Sequence, residues 1–106
     1  MKVLDPGHSY LLDDADASRP SQELLFIKKE LSPKQPPEGG VLELVHSGTT
    51  TEEVLDVLID RLTVLNERLP DNYTKSALTA LSDAKVYLEN RNQERDIRGV
   101  RGTNRA

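Results

Sequence analysis

Two long helical patterns, separated by a proline and an acidic residue, constrain this chain more than any other feature. The first lies in the segment SGTTTEEVLDVLIDRLTVLNERLP, where apolar residues recur at the three- and four-residue spacing of one broad apolar face. Pro70 ends this helix, and Asp71 or Asn72 caps the next one. Because the link has only about two residues, the helices must run antiparallel. The pattern predicts an αα-hairpin with helices over residues 50–69 and 72–97.

The ends and faces of the two predicted helices also follow from their sequence. The first begins at a capping box that fits either Thr49 with Glu52 or Thr50 with Glu53. The second carries an apolar series whose alanines allow a close approach of its partner. The apolar positions of the second helix are Tyr73, Ala77, Leu81, Ala84 and Leu88, with Leu78 and Val86 beside them.

Before the hairpin, short apolar runs alternate with turn residues, which is typical of strands. The predicted strands are Ser9–Asp14 behind the turn DPGH, Gln22–Glu30 and Val41–His46, with a loop over Ser32–Gly40. The predicted class is α+β, with a small N-terminal antiparallel β-sheet packed on a two-helix antiparallel hairpin. We expect a single domain over residues 1–106, divided into strands and loops at 1–47, the hairpin at 48–98 and a C-terminal tail at 99–106.

The composition limits what such a fold can bury. Only 36% of the residues are hydrophobic and 4% aromatic, so the core is thin and we expect an obligate oligomer. The absence of cysteine excludes disulfides and thiolate metal sites. No apolar run approaches the roughly 18 residues of a membrane span. We therefore expect a soluble, cytoplasmic protein with no membrane partner.

The charge is unevenly placed along the chain. Residues 1–90 carry 9 Lys or Arg and 16 Asp or Glu, a balance of −7, whereas residues 91–106 carry five arginines and two acids, a balance of +3. An acidic body argues against general binding to duplex DNA. A compact arginine cluster on such a body suits a small anion better than a long polyanion.

Signatures of enzymes are absent: there is no Ser/His/Asp grouping at a known spacing, no P-loop and no dinucleotide fingerprint. His8 and His46 both flank strands, and solvent-facing histidines are favoured over a metal pair. Asp56 and Asp60 lie one helical turn apart, and a solvated face is favoured over a general acid and base. We expect neither a catalytic residue nor a metal or cofactor.

Two segments have the chemistry of anion sites. At the first, Gly48 and Thr49 precede a helix start that offers free backbone N–H groups, although plain helix capping is the favoured interpretation there. The second is the C-terminal segment, where Arg91, Arg95 and Arg98 share one helical stripe. It continues with Gly99, Arg101, Gly102 and Thr103. Guanidinium forks, amides and a hydroxyl suit phosphates, but a fraying basic terminus has the same composition.

The stretch from GTTTEEVLDVLIDRLTVLNERLPDN to ALTALSDAKVYLENRNQERDIRGVRGT resembles the helical-hairpin domain of phage anti-defence sponges. These are the Thoeris anti-defence and anti-CBASS proteins, and the upstream DPGHSYLLD and ELLFIKKE resemble the strands of the Thoeris-type branch. The resemblance rests on the order of a Gly-Thr helix start, a short Pro/Asn link, Leu88-Glu89, two arginines and the final RGVRGT. It covers nearly the whole chain.

The resemblance implies a phage protein that binds and sequesters cyclic nucleotide immune signals in the host cytoplasm without cleaving them. The implied ligands are cyclic ADP-ribose isomers or cyclic di- and trinucleotides, and the implied assembly is a homo-oligomer, dimer or hexamer. It gives the C-terminal tail a role in ligand binding. The alternative is a phage structural or regulatory adaptor whose basic C-terminal tail binds a protein or nucleic acid.

Carried over residue by residue, the resemblance implies that Arg91 and Arg95 face phosphate. Relatives often have Tyr or Phe where this chain has Val64, and Asn where it has Thr74, so Asn72 is a candidate for the missing amide. With no ring at position 64, base stacking must come from Tyr73, Tyr87, an arginine plane or a neighbouring subunit. The predicted ligand-binding set is Arg91, Arg95, Arg98, Gly99, Arg101, Gly102, Thr103, Thr74, Asn72, Val64, Gly48 and Thr49.

Overall fold

The computed structural model describes residues 1–31 and 42–97. Its elements are β1 (Lys2–Asp5), β2 (Ser9–Leu12), β3 (Gln22–Leu25), β4 (Lys28–Leu31), β5 (Leu42–His46), α1 (Thr51–Arg68) and α2 (Asn72–Ile97). The predicted α+β class is confirmed, with antiparallel strands followed by two packed helices. The chain divides into two compact units, Met1–Thr50 and the residues from Thr51 onward, close to the predicted start of the hairpin. The oligomeric state, the packing of the strands on the hairpin and the single domain stay predictions.

The first unit contains a three-stranded antiparallel sheet in the order β1-β2-β3. The turn predicted at DPGH is present: the His8 amide donates to the Asp5 carbonyl over 2.9 Å, and Gly7 has a φ of 81°. It joins β1 to β2. Glycine adopts that left-handed conformation without steric cost. The ring of Pro6 restricts φ at the turn position just before Gly7. The sequence did not indicate β1, which is only four residues long.

The predicted strand Gln22–Glu30 is wrong as a single element, because the chain changes partners in its middle. β3 pairs with β2, whereas β4 pairs with β5 in a separate two-stranded sheet. Between them, Phe26 donates its amide to the carbonyl of His8 over 2.7 Å, and Ile27 donates to the carbonyl of Thr49 over 2.9 Å. The predicted loop Ser32–Gly40 lies outside the described residues.

The second unit is the predicted helical hairpin, with boundaries within one residue or so of the prediction. α1 begins at Thr51, which puts Thr50 in the N-cap position and favours the Thr50–Glu53 version of the capping box. Asp71 caps α2, since its side chain accepts the Tyr73 amide over 3.0 Å. A hydrogen bond spans the link between the helices: the side-chain oxygen of Asn66 accepts the Asp71 amide over 2.9 Å.

The two helices meet along a line of half-buried residues that we call the seam. Its members recur at alternating three- and four-residue spacing: Leu55, Ile59, Leu62 and Asn66 of α1, and Leu78, Leu81, Lys85, Leu88, Asn92 and Arg95 of α2. Of the apolar positions expected on α2, Leu81, Ala84 and Leu88 are half-buried, whereas Tyr73 and Ala77 are exposed. Leu78, expected beside them, lies in the seam. Leucine at these positions covers more apolar surface than alanine does.

Candidate functional site

The seam ends in polar residues at the end of the hairpin opposite the link, which we call the open end. After Leu88, the next two seam positions of α2 are Asn92 and Arg95. The Asn92 side-chain amide donates to the Glu52 carboxylate in the first turn of α1 over 3.3 Å. The first turn of α1 and the last turns of α2 therefore lie side by side, and apolar packing gives way there to hydrogen-bonding groups.

Arg91 and Arg95 are the predicted site residues that the structure brings together at this open end. They lie one helical turn apart on α2, with Arg91 exposed and Arg95 half-buried. No hydrogen bond or ion pair joins either guanidinium to another described residue. Two planar forks held on one rigid helix can donate to the oxygens of one or two phosphate groups.

An exposed aromatic ring precedes this pair by one turn. Tyr87 is 73% exposed and lies four residues before Arg91, so its ring and the two guanidiniums form a series along one stripe of α2. Tyr73 is also exposed, but about 27 Å of helix separates it from Arg91. Of the two tyrosines considered for base stacking, Tyr87 is therefore the one within reach of the arginines in a single chain.

Asn72 and Thr74 lie at the opposite end of the same helix, beside the link. Asn72 is the first residue of α2, and the Thr74 hydroxyl donates to the Asp71 carboxylate over 3.4 Å. About 26 Å of helix separates Thr74 from Arg91, so the two ends cannot contact one small ligand within one hairpin. Helix capping accounts for the Asp71 and Thr74 side chains at this end.

Val64 lies between the two ends. It is 37% exposed on α1, twelve residues from Glu52, which corresponds to about 18 Å along the helix. Within one chain it does not approach Arg91 or Arg95. A ring in this position would not reach a base held at the open end of the same hairpin.

Gly48 and Thr49 belong to the first unit, where backbone contacts explain both. The Thr49 amide donates to the Leu25 carbonyl over 2.8 Å, so that N–H group is not free for an anion. A Cβ at Gly48 would lie 2.5 Å from the Phe26 carbonyl carbon and 2.7 Å from the Ile27 amide nitrogen. The segment therefore requires glycine because two backbones approach closely.

The first unit carries a charged cluster that was not predicted from the sequence. Lys28 donates to the Asp5 carboxylate over 2.9 Å, and this bond holds the pKa of Asp5 below its usual value and the pKa of Lys28 above it. The charges of His8 and His46 also lower the Asp5 pKa, although less than Lys28 does. Among the described residues, no group of three or more His, Asp or Glu is arranged to hold a metal ion.

On the hairpin, the two aspartates of α1 differ in their surroundings. Asp56 accepts a hydrogen bond from Lys85 of α2, and this bond raises the pKa of Lys85. Asp60 is exposed. Asp56 therefore joins the two helices, and the seam lysine has a carboxylate partner rather than a free charge.

The remaining predicted site residues, Arg98, Gly99, Arg101, Gly102 and Thr103, lie outside the described residues. No helix in the described part of the chain has the length and apolar character needed to cross a membrane.

Comparison of the chain with family models, with curated proteins and with solved structures finds no match. The resemblance to the sponge family therefore stays an interpretation of the motifs, and the function has to be argued from the residues.

Proposed function

We propose that this protein is a phage anti-defence protein that binds a cyclic nucleotide immune signal in the host cytoplasm and does not cleave it. The ligand is a cyclic ADP-ribose isomer of Thoeris or a cyclic di- or trinucleotide of CBASS. The observation that carries the proposal is the pair Arg91 and Arg95, which share one stripe of α2 and have no partner among the described residues. The motif resemblance adds support, since its arginines fall at these two positions.

The chemistry of the open end fits this class of ligand. Every cyclic nucleotide combines phosphates with at least one base, and α2 offers two guanidiniums with an exposed ring one turn away. Arginine forks bind phosphate by charge-assisted hydrogen bonds, and an aromatic ring stacks on a base with little regard to its identity. In this proposal Tyr87 supplies the stacking surface that is missing at Val64.

The direct test is a thermal-shift screen of the purified chain with cyclic ADP-ribose isomers, cyclic dinucleotides and cyclic trinucleotides. A ligand present at about 100 times its dissociation constant should add roughly 2.7 kcal/mol to the free energy of unfolding. We expect at least one of these ligands to raise the melting temperature. No shift with any of them would contradict the proposal and favour the adaptor.

Absence of turnover is tested on the same complex. After incubation the protein is heat-denatured, and the released nucleotide is compared with the starting material by chromatography and mass spectrometry. A sponge releases its ligand intact and in a fixed molar ratio to the protein. A linear or shortened product that accumulates with time would show an enzyme instead.

A further inference from the structure

The seam divides the hairpin into two sides of opposite charge. Lys85 of the seam pairs with Asp56 of α1 and, over 3.7 Å, with Glu89 of α2, so these two carboxylates lie on one side. Each of them directly follows a seam leucine. Residues that follow a seam position therefore share this side, which on α1 holds four carboxylates: Glu53, Asp56, Asp60 and Glu67. We call it the acidic side.

The other side of α1 carries leucine and arginine. Leu58 lies about 200° further round the helix than Asp56, and so across the seam from it. Its stripe recurs at three- and four-residue spacing and consists of Leu58, Arg61, Leu65 and Arg68. The two leucines are 39% and 40% exposed, and both arginines are exposed. Within the described part of the chain, neither guanidinium has a hydrogen-bond or ion-pair partner.

On this same side, α2 contributes mainly small side chains. Ala77, Ala80 and Ala84 each precede a seam residue, as Leu58 and Leu65 do on α1. With Tyr73 they form a stripe at three- and four-residue spacing. We call the stripe of α1 and this stripe of α2 together the arginine–alanine face.

The arginine–alanine face has the relief of a groove. Lys85 lies opposite Asp56, so Arg61, five residues further along α1, lies opposite Ala80, five residues earlier in α2. Alanine side chains end close to the helix backbone, whereas leucine and arginine extend well beyond it. A row of alanines beside a row of longer side chains leaves a depression that runs along the hairpin.

The composition of this face is that of a protein-binding surface. Exposed arginine and tyrosine surround an apolar centre, and the two stripes contain no lysine and no acid, although Asp83 lies beyond Ala80 on the outer surface of α2. Two cations around an apolar centre do not form the continuous basic track that a nucleic acid strand requires.

We propose that the arginine–alanine face binds an acidic amphipathic helix of another protein, which lies along the groove as a third helix. Arg61 and Arg68 are about 10.5 Å apart along α1, the same interval as two acids seven residues apart on the partner helix. The apolar stripe of that helix packs over the alanines, between the leucines and Tyr73. The acidic side repels such a helix, so charge selects one side of the hairpin. The proposal uses neither Arg91 nor Arg95 and does not depend on nucleotide binding.

The probe is a fluorescein-labelled synthetic peptide of about three heptads, with leucine at the first and fourth positions and glutamate at the fifth and seventh. Glutamate on both flanks prevents such peptides from pairing with each other. The control peptide has the same composition in an order that gives no apolar stripe. Fluorescence anisotropy should show saturable, micromolar binding of the striped peptide to the full chain, as expected of a small interface. The control peptide should bind at least about tenfold more weakly.

Two matched variants reverse one charge on each side of the hairpin. Arg61→Glu should weaken binding of the striped peptide by about tenfold or more, because a like charge then faces its glutamates. Lys75→Glu makes the same change at an exposed position of α2, at the same angle as Glu89 on the acidic side, and should bind as the wild type does. Arg61→Gln and Lys75→Gln repeat the comparison if circular dichroism shows that a reversed charge disturbs folding.

The outcomes that overturn the proposal are distinct. They are no saturable binding of the striped peptide, equal binding of the two peptides, and an equal effect of the substitutions at positions 61 and 75. Tighter binding of a labelled single-stranded oligonucleotide or of anionic lipid vesicles, lost in Arg61→Glu, would assign the face to that partner instead. A chain that binds no peptide, and whose mass by light scattering falls in Arg61→Glu, would assign the face to a second copy.

Discussion

The two ends of α2 use polar residues in opposite ways. At the link end, Asp71 accepts the Tyr73 amide and the Thr74 hydroxyl, and Asn66 accepts the Asp71 amide. At the open end, Arg91 and Arg95 have no partner among the described residues. A polar group with a local structural partner is explained by the fold, whereas an unpartnered pair of cations on a rigid helix is available to a ligand. The difference separates the predicted site residues into a structural class, whose polar groups have partners within the fold, and a binding class, whose polar groups are available to a ligand.

The largest expected effect is a loss of stability on substitution of Gly48, which we place in the structural class. In Gly48→Ala the new methyl group meets the backbone of Phe26 and Ile27, which cannot move as a side chain can. We expect a loss of about 3 kcal/mol in the free energy of unfolding, measured by urea denaturation. The fraction of Gly48→Ala that remains folded should bind the ligand with unchanged affinity. A stable variant with weakened binding would return Gly48 to the binding class.

The two exposed tyrosines of α2 compare its ends directly. Tyr87→Ala removes the ring beside Arg91 and should weaken ligand binding by about 2 kcal/mol, or roughly thirtyfold. Tyr73→Ala removes the same ring from the link end and serves as the matched control, with no expected change in affinity. Titration calorimetry measures both. The assignment of Tyr87 fails if the two variants bind equally well, or if Tyr73→Ala is the weaker one.

The cap of α2 provides the opposite test at the link end. Asp71→Ala leaves the first amides of the helix without their acceptor and should destabilise the protein by about 1 kcal/mol. Its ligand affinity should equal that of the wild type, because the cap lies far from Arg91 along the helix. An affinity loss without a stability loss would show that the link end takes part in binding.

The pair Lys28 and Asp5 should make the smallest difference, which is detected through the pH dependence of the stability in acid. Because the Asp5 pKa is lowered in the folded protein, its contribution is present above its ordinary pKa and is lost as the pH falls through the folded value. Lys28→Met removes the cause, so its melting temperature should fall less below about pH 4 than that of the wild type. Lys29→Met, at the neighbouring exposed lysine, should follow the wild type. Parallel curves for all three proteins would show that the pair contributes nothing.

The sequence predicted the hairpin well because its signals are local. The spacing of Leu55, Ile59 and Leu62, the stop at Pro70 and the cap at Asp71 each depend on neighbours within a few residues. It predicted the strands less well, because the division at Phe26 and Ile27 is caused by partners far along the chain. A continuous apolar run carries no mark of where it changes sheets.

The same limit applies to the candidate site. The helical spacing of Arg91 and Arg95 was readable from the sequence, and so was the one-turn interval from Tyr87. The structural roles of Gly48 and Thr74 were not, since they depend on which backbone or side chain lies opposite. The contact between Lys28 and Asp5 joins residues 23 positions apart and could not be found without the strand pairing.

The central claim is that the open end of the hairpin holds the phosphates of a ligand, and one calorimetric comparison tests it most directly. The ligand that raises the melting temperature most is titrated into the wild type, Arg95→Ala and Arg68→Ala. Both variants remove one arginine, but Arg68 lies in the last turn of α1, beside the link. Loss of charge-assisted bonds worth about 1.5–3 kcal/mol predicts binding weaker by about tenfold to a hundredfold in Arg95→Ala. Arg68→Ala should bind as the wild type does, and equal affinities in all three proteins would contradict the account.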